Sequence, residues 1–478
     1  MLFKRGREPV NRGTAVARVL LLILLASVAA CTPRLTGSAS GGADVVFRDV
    51  TIVDVENGGL IPGQTVLISG NRITGVSPAR RTAIPPGAQV VDSRGKYLIP
   101  GLWDMHVHLT DGGSASLPLF VAHGVTGVRD MGGDWDLISG WRDLIDAREA
   151  VGPRMRIAGP IVEDARWLEA VRSIPEGRSF LDGSPRIGMA MAAEAQPTVD
   201  SLVRLGVDFI KVRNAPPREA YFALVEEARR RGLPVVGHLP GGESGLVAAI
   251  EAGQMSIEHI GGLADALDGQ PENDRRALYA RIAERGIAYV PTLVAEMRRV
   301  YAAEVVSAIV ADSLGLLDLR RRYISDPLLA FWRLQEALDK YDAPRDWEPI
   351  LARALGYLQE MQATGVPMLA GTDFGSRLVY PGWSLHDELM LLVEYAGLSP
   401  LQALQTATRN AAWFFGEADE FGTVEPGKRA DLVLLSGDPL VDIRNTQRIE
   451  AVVLDGRLYP RASLDEFIAE ARNVLRPE

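Results

Sequence analysis

Short apolar runs recur through the middle of the chain, and stretches with a helical pattern, such as EAYFALVEEARRRG, lie between them. This alternation of strand and helix over residues 100–413 is typical of a parallel (β/α)8 barrel, so the pattern predicts an α/β fold. The runs predicted as its eight strands are GLWDMHVHL, GVTGVRDM, MRIAGP, VDFIKVRNA, LPVVGHLP, MSIEHIG, IAYVPTL and VPMLAGTD.

A different pattern flanks this region on both sides. Residues 44–99 and 414–465 contain short alternating runs, such as VVFRDVTIVDV and IEAVVLDGRLYP, with Gly, Asn and Pro between them. Alternation bounded by turn residues predicts strands. Because the two segments resemble each other, we expect them to pair as one small β-domain.

A long helical segment, about residues 296–360, separates the seventh and eighth predicted strands. It is rich in Tyr, Trp and Arg. Connections of this length in a compact domain are usually functional, and this one is long enough to cover the mouth of a barrel as a lid.

The first residues resemble a bacterial export signal. A positively charged start precedes the apolar run 19–30, which is short for a membrane span but fits a signal peptide. Val28-Ala29-Ala30-Cys31 resembles a lipobox, and Cys31 is the only cysteine of the chain. We expect a signal peptide over 1–30, lipidation of Cys31 and a flexible Ser/Gly-rich tether over 31–43. A plain signal peptide or an uncleaved anchor is the alternative.

The composition and net charge limit the classes of binding partner that we expect. The 478 residues are 47% hydrophobic and 23% charged, which is ordinary globular composition, and the formal net charge is −10. Such acidity argues against a nucleic-acid partner, which requires a basic face. We expect a small-molecule or peptide substrate and membrane contact only through the lipid anchor. The protein is expected to be exported and to lie in the periplasm or on the outer surface, anchored to a bacterial membrane. A homo-oligomer is a possible assembly state.

Histidines stand at the ends of predicted strands. The chain has six, and His106 and His108 are two residues apart, so both project from the same face of a strand. His238, His259 and Asp373 each end another predicted strand, and the carboxyl ends of barrel strands meet at one mouth. A single buried histidine is commonly a core residue, but this repeated placement favours a metal site.

Three motifs carry a family resemblance over nearly the whole chain. They are Pro100-Gly101-Leu102-Trp103-Asp104-Met105-His106-Val107-His108, the segment GVTGVRD at 124–130 and the segment GTVEPGKRADL at 422–432. In this order they resemble the amidohydrolase superfamily. The resemblance implies a distorted (β/α)8 TIM barrel, with a small β-sandwich domain formed from both chain ends.

The resemblance also implies two divalent metal ions. His106, His108 and Asp373 would hold the first ion, and His238 and His259 the second. Lys211, in the fourth predicted strand, would bridge them as a carbamate together with a hydroxide. An ordinary salt-bridged lysine beside a single ion is the alternative. The imidazole-rich set suits zinc, with Mn, Fe or Co as other occupants.

The expected reaction is hydrolysis of an amide C–N bond by attack of the bridging hydroxide, with Asp373 as the proton shuttle. The segment GWSLHDEL around His386 resembles imidazolonepropionase-like and Xaa-Pro-dipeptidase-like members, which favours a dipeptide or an N-acyl amino acid as substrate. The same centre also suits a lactone, cyclic amide or organophosphate ester, and a non-catalytic exported binding protein is a further alternative. Candidate substrate contacts, each with a structural alternative, are Arg213, Tyr289, Arg377 and His386.

Overall fold

Residues from the two ends of the chain pair within one mixed sheet. The computed structural model describes residues 44–182, 184–241, 245–339 and 345–475, so the predicted signal peptide, tether and Cys31 lie outside the described residues. The strands of this sheet are β1 (Val45–Val53), β2 (Leu60–Ser69), β3 (Arg72–Pro78), β4 (Gln89–Asp92) and β5 (Tyr97–Pro100) from the start, with three more from the end of the chain.

The second set of strands is parallel and occupies the middle of the chain. Its members are β6 (Leu102–Val107), β7 (Val125–Asp130), β8 (Arg154–Ile157), β9 (Ile161–Asp164), β10 (Arg186–Met189), β11 (Ile210–Val212), β12 (Val235–Gly237), β13 (Ser256–Glu258) and β14 (Ala288–Val290). The mixed sheet is completed by β15 (Leu432–Leu435), β16 (Ile449–Leu454) and β17 (Arg457–Pro460).

Helices connect the strands. Those in the described ranges are α1 (Leu117–Ala122), α2 (Trp135–Asp146), α3 (Ala165–Arg172), α4 (Pro175–Asp182), α5 (Ala195–Leu205), α6 (Arg218–Arg230), α7 (Gly245–Ala252), α8 (Leu263–Leu267), α9 (Glu272–Glu284), α10 (Leu293–Glu296), α11 (Ala303–Ala311), α12 (Asp326–Asp339), α13 (Trp347–Ala363), α14 (Trp383–Tyr395), α15 (Pro400–Thr406), α16 (Arg409–Phe414) and α17 (Arg461–Leu475). Over this part of the chain, no helix has the length and apolar character needed to cross a membrane.

The mixed sheet has the strand order β17-β16-β15-β5-β1-β2-β3, with β4 also paired to β1. β5 and β15 join the two chain ends in an antiparallel pair that places Ile99 opposite Val433. Alternate residues such as Val66, Ile68 and Leu432 are buried in one apolar cluster, as expected for strands with one covered face. The two ends therefore share one sheet, while the β-sandwich arrangement stays a prediction.

The parallel strands lie in two sheets, β6-β7-β8 and β10-β9-β11-β12-β13-β14, which backbone hydrogen bonds connect. The amide of Asp208, just before β11, donates to the carbonyl of Ile157 in β8 at 2.9 Å. On the other side, the amide of Met105 in β6 donates to Ala370 at 2.8 Å, and that of Leu369 donates to Tyr289 at 3.0 Å. This mixed α/β arrangement with curled parallel sheets is consistent with a TIM-barrel-like fold.

The sequence pattern missed or misjudged some elements. The eighth predicted strand, VPMLAGTD, forms one isolated bridge, Tyr289 with Met368, and a second bridge, Val107 with Phe374, lies one residue beyond it. Its backbone hydrogen bonds alternate between two neighbours. The third predicted strand continues after a turn into β9, and β10 pairs with β9, neither of which the pattern indicated.

An apolar cluster lies among the parallel strands. Met105, Val236, Ala288 and Leu369, from four different segments, are buried in a single cluster. The polar residues of the predicted site therefore stand on an apolar floor, which fixes their positions by packing. The segment between β14 and residue 367 is helical, as predicted, and α12 and α13 pack on the main core through side chains such as Trp332 and Leu358.

Candidate metal centre

Six predicted ligands lie where parallel strands end. His106 is in β6 and His108 directly follows it, Lys211 is in β11, and His238 and His259 are the first residues after β12 and β13. Asp373 follows the bridged segment that lies between β14 and β6. Because the strands are parallel, their carboxyl ends face the same side, and residues far apart in sequence meet there.

The distances show how closely these side chains approach one another. His106 Nε2 lies 3.3 Å and His108 Nε2 lies 3.5 Å from Asp373 Oδ1. The ring of His259 lies 4.7 Å from that of His106 and 4.6 Å from that of His238, between centroids. One possible ligand atom each from His106, His259 and Asp373 lies within 4.8 Å of the others. The group forms one compact set of nitrogen and oxygen donors.

Three of the histidines are oriented through Nδ1. His106 Nδ1 lies 2.9 Å from Glu258 Oε2, and His108 Nδ1 lies 2.8 Å from the carbonyl oxygen of Gly132. His259 Nδ1 lies 2.8 Å from Thr292 Oγ1. When Nδ1–H donates to such an acceptor, Nε2 keeps its lone pair for a metal, which is the usual arrangement around a ligating histidine.

Burial keeps these imidazoles neutral. It lowers the pKa of His108 to about 3 and the pKa of His106, His238 and His259 well below the ordinary value, because a buried cation loses its hydration. The positive charge of Lys211 adds to the effect at each of the four. Neutral imidazole is the form that binds metal, so the four histidines are ready as ligands across the physiological pH range.

Two buried polar atoms of the set have no hydrogen-bond partner among the described residues: His106 Nε2 and Lys211 Nζ. The Lys211 side chain is 1% exposed, and burial lowers its pKa to about 8, although Glu258 and Asp373 oppose the shift. Leaving such groups unpaired in the interior costs free energy, so they indicate a missing partner. Imidazole nitrogens, a carboxylate and a reactive amine around one space fit a divalent metal centre.

Asp373 combines burial with an unusual backbone. Burial raises the pKa of its carboxyl group to about 6, against the hydrogen bond from the Ser376 hydroxyl and the charge of Lys211. Its φ is +59°, and His259 has φ +69°, in a region that residues other than glycine rarely adopt. Such strain clusters at functional sites, where surrounding contacts impose it.

Charged residues that the sequence reasoning missed support the ligands. Glu258 is fully buried and accepts a hydrogen bond from Arg129 Nη2 at 2.8 Å, besides its contact with His106. Asp104 accepts from the amide of His106 at 3.3 Å, and Asp130 accepts from the amide of Leu109 at 2.8 Å. The sequence does contain a signal for these residues, namely a charged residue within an otherwise apolar strand, as in SIEH or GVRD. A buried charge requires a partner, so such a residue is expected to bond to a neighbouring group.

A glycine beside the ligands allows the last segment to approach β6. A Cβ on Gly371 would lie 2.7 Å from the Cβ of His106, closer than side chains tolerate. The absence of a side chain at residue 371 therefore brings Asp373 within reach of both histidines of β6.

Two of the candidate substrate contacts are buried and bonded within the protein. The Tyr289 hydroxyl donates to the carbonyl of His259 at 2.8 Å and is fully buried. His386 is 2% exposed, with Nε2 3.0 Å from the carbonyl of His123 and Nδ1 2.9 Å from Thr446 Oγ1. These placements favour the structural alternatives for both residues.

The two arginines differ from each other. Arg377 forms an ion pair with Asp339 of α12, so it connects the segment after Asp373 to the helical insertion. Arg213 lies two residues beyond Lys211 and contacts the aromatic rings of Trp167 and Phe180. Of the four candidate contacts, Arg213 is the one whose side chain has no hydrogen bond or ion pair among the described residues.

Comparison with known proteins agrees with this geometry. A model of the Amidohydrolase family matches residues 97–459. Ochratoxinase of Aspergillus niger is 26% identical over 429 residues, which cover 79% of this chain and 78% of that protein. Adenine deaminase of Rubrobacter xylanophilus is 24% identical over 464 residues, 91% of this chain and 63% of that enzyme. The solved structure of a prolidase candidate from Bifidobacterium longum has a TM-score of 0.67 and 26% identity, covering 89% of this chain and 98% of that one.

Proposed function

Because this chain belongs to the amidohydrolase family, as the sequence motifs predicted, we propose that it is a metal-dependent amidohydrolase that cleaves the amide bond of a dipeptide or an N-acyl amino acid. The family and its relatives make it an enzyme, a hydrolase acting on C–N bonds. The observation that carries the proposal is that two buried atoms within the cluster of neutral histidines, His106 Nε2 and Lys211 Nζ, form no hydrogen bond with the described residues.

The residues divide into two ligand groups. His106, His108 and Asp373 lie on one side, where Asp373 Oδ1 is within 3.5 Å of both imidazoles, and would hold one ion. His238 and His259 would hold a second ion. Lys211, as a carbamate, would lose its positive charge and become an anionic metal ligand. When bound, divalent ions such as zinc polarise a carbonyl oxygen and make water a stronger nucleophile.

Asp373 is the proton carrier in this proposal. Its carboxylate accepts a proton from the attacking water and donates it to the leaving nitrogen, which departs as an amine. The Ser376 hydroxyl bonds to Oδ2, so Oδ1 is the oxygen that faces His106 and His108. Burial of the carboxyl group, which raises its pKa to about 6, brings its proton affinity near the working pH.

Two similar proteins support hydrolysis of a C–N bond as the reaction. One is named an ochratoxinase, and the other is a prolidase candidate. Both are 26% identical to this chain, which supports the reaction class and leaves the substrate to experiment. We also propose that the protein is exported and lipid-anchored, and that its two chain ends form a β-sandwich.

A metal analysis and a substrate panel test this function. The purified full-length chain should contain up to two divalent ions per protein and should hydrolyse members of a panel of Xaa-Pro dipeptides and N-acyl amino acids. Lactones and organophosphate esters in the same panel test the alternative substrates.

Asp373→Asn should reduce kcat by about 10²- to 10⁴-fold while the protein stays folded, because the proton carrier is lost. Asp465→Asn, which changes an exposed carboxylate paired with Arg461, is the matched control and should keep full activity. A metal-free protein whose activity Asp373→Asn leaves unchanged would show that the proposal is wrong.

A further inference from the structure

Beside the candidate metal centre, an arginine lies against two aromatic rings without an acidic partner. The Arg213 guanidinium is 5.4 Å from the ring centroid of Trp167 in α3 and 5.5 Å from that of Phe180 in α4. Among the described residues it forms no ion pair. Flat contact with aromatic rings fixes the plane of a guanidinium while leaving its N–H groups free to donate.

Arg213 lies next to the predicted ligands. It is two residues after Lys211 and is the first residue after β11. Its place at the carboxyl end of β11 puts it on the side of the parallel strands where the predicted ligands lie.

A second arginine adds to the positive charge. Arg186 in β10 has a side chain only 5% exposed, and it pairs with the fully buried Glu163. Its guanidinium carbon lies 4.7 Å from the Phe180 ring, and its Nε has no partner among the described residues. Glu163 also accepts from both the amide and the side chain of Asn214, at 2.9 and 2.8 Å. Glu163 is thus paired with Arg186 and, among the described residues, not with Arg213.

Arg213 is half-buried and has no acidic partner among the described residues. Burial, then the charge of Arg213, lower the pKa of Arg186 to about 10, although Glu163 opposes the shift. A charge that is partly removed from water is stabilised by an opposite charge with matching hydrogen bonds. The fork of a guanidinium matches the two oxygens of a carboxylate.

We propose that Arg213 binds the free carboxylate of the substrate, with Trp167 and Phe180 as the walls of this subsite and Arg186 as a supporting charge. The inference rests on the proposed amide hydrolysis and restricts it to substrates that carry a carboxylate beside the scissile bond. Such substrates are dipeptides or N-acyl amino acids with a free C-terminus. The bond is then cleaved next to an anchored terminal residue.

The wall residue Phe180 also contacts the helical insertion. Its ring stacks on Phe331 of α12, with centroids 5.7 Å apart and planes 17° apart. The insertion therefore contacts one of the two walls of the subsite.

Paired substrates test the proposal with the full-length, metal-loaded enzyme. Each N-acyl amino acid or dipeptide is compared with its C-terminal primary amide, which lacks the charge. Arg213→Gln should lower kcat/KM for the free acid about 10- to 100-fold, mainly through KM, and change that for the amide by less than about threefold. Arg218→Gln is the matched control, since Arg218 also lies over a ring, that of Phe222, but pairs with Glu251 on the surface.

A third substrate separates the two sources of a carboxylate. An N-acyl glutamate α-amide keeps an anionic side chain but no C-terminal carboxylate. Preference for the C-terminal acid supports the proposal, whereas equal preference for the side-chain acid would overturn the assignment to the terminal group.

Binding provides a readout that does not depend on turnover. Calorimetry with N-acetyl-L-alanine and N-acetyl-L-alaninamide should show tighter binding of the acid, lost in Arg213→Gln and weakened in Arg213→Lys, which keeps the charge but not the fork. Equal binding of acid and amide by the unmodified protein would overturn the inference. Selective binding of the acid without hydrolysis of any amide would instead contradict the proposed function and leave the subsite in place.

Discussion

The carboxylate of Asp104 accepts hydrogen bonds from the hydroxyl of Thr372 at 2.7 Å and from its amide at 2.9 Å, although 268 residues separate the two in the chain. Both residues are buried, and each is close in sequence to predicted ligands, His106 on one side and Asp373 on the other. The pair therefore holds the first parallel strand against the last bridged segment at the position where the candidate metal centre forms.

Thr372→Val should destabilise the protein by about 1–3 kcal/mol, because it leaves a buried carboxylate oxygen without its donor. Burial already raises the pKa of Asp104 to about 7, and the Thr372 bonds counteract that rise. Thr372→Ser, which keeps the hydroxyl, should lose much less stability than Thr372→Val. Denaturant unfolding of the two variants measures the difference, and equal stability would refute the role of this bond.

Glu258→Gln should weaken metal binding about 10- to 100-fold, because the hydrogen bond to His106 Nδ1 orients that ligand. It should also destabilise the fold by about 3–5 kcal/mol, since fully buried Arg129 would lose its partner charge. Competition with a chelator measures the affinity. Glu251→Gln, which breaks an exposed pair with Arg218, is the control and should change neither quantity appreciably.

Reconstitution of the metal-free protein should depend on pH and bicarbonate if Lys211 carries a carbamate. Only the neutral amine reacts with CO₂, and burial lowers the pKa of Lys211 to about 8, so the reactive fraction grows as pH rises through 8. Activity should return faster at pH 8.5 than at pH 6.5, and ¹³C-labelled bicarbonate should give a carbamate resonance. Lys211→Ala should abolish that resonance, while Lys96→Ala, at a partly exposed surface pair, should keep it. Full activity without the resonance would favour a single ion beside an ordinary lysine.

His386 should make stability depend on pH. Burial lowers its pKa to about 4, so below the ordinary value of 6.5 the unfolded chain binds a proton that the folded protein does not. Stability should therefore fall as the pH drops from about 6.5 to 4, by up to about 3 kcal/mol from this residue. His386→Gln should flatten that part of the pH–stability curve, measured by denaturant unfolding at a series of pH values. An unchanged slope would show that His386 is not buried neutral.

Much of the candidate centre was accessible from local patterns. The two-residue spacing of His106 and His108 places both on one face of β6, because side chains alternate along any strand. The apolar runs that stop at His238 and His259 predicted where β12 and β13 end. The pairing of the two chain ends likewise follows from alternation, which the antiparallel contact of β5 with β15 bears out.

Other features depended on contacts between distant segments. Tyr289 and His386 were candidates for substrate contact, each with a structural alternative. Both bond to backbone or side-chain groups that only the folded chain brings near them, which favours that alternative. The strand expected over VPMLAGTD is reduced to isolated bridges between β14 and β6. Glu258 and Arg129 are 129 residues apart, and no local pattern indicates that they share a buried ion pair.

The sequence by itself determined the chemical types of the donors, their positions at strand ends and the family, since each follows from short-range order along the chain. Only the tertiary structure decided which histidines lie near Asp373 and which charged residues are buried as ion pairs. It also decided that Arg213 has no acidic partner among the described residues. The physical reason is that hydrogen bonds and ion pairs act over a few ångströms in space, so long-range packing chooses the partners that a linear pattern leaves open.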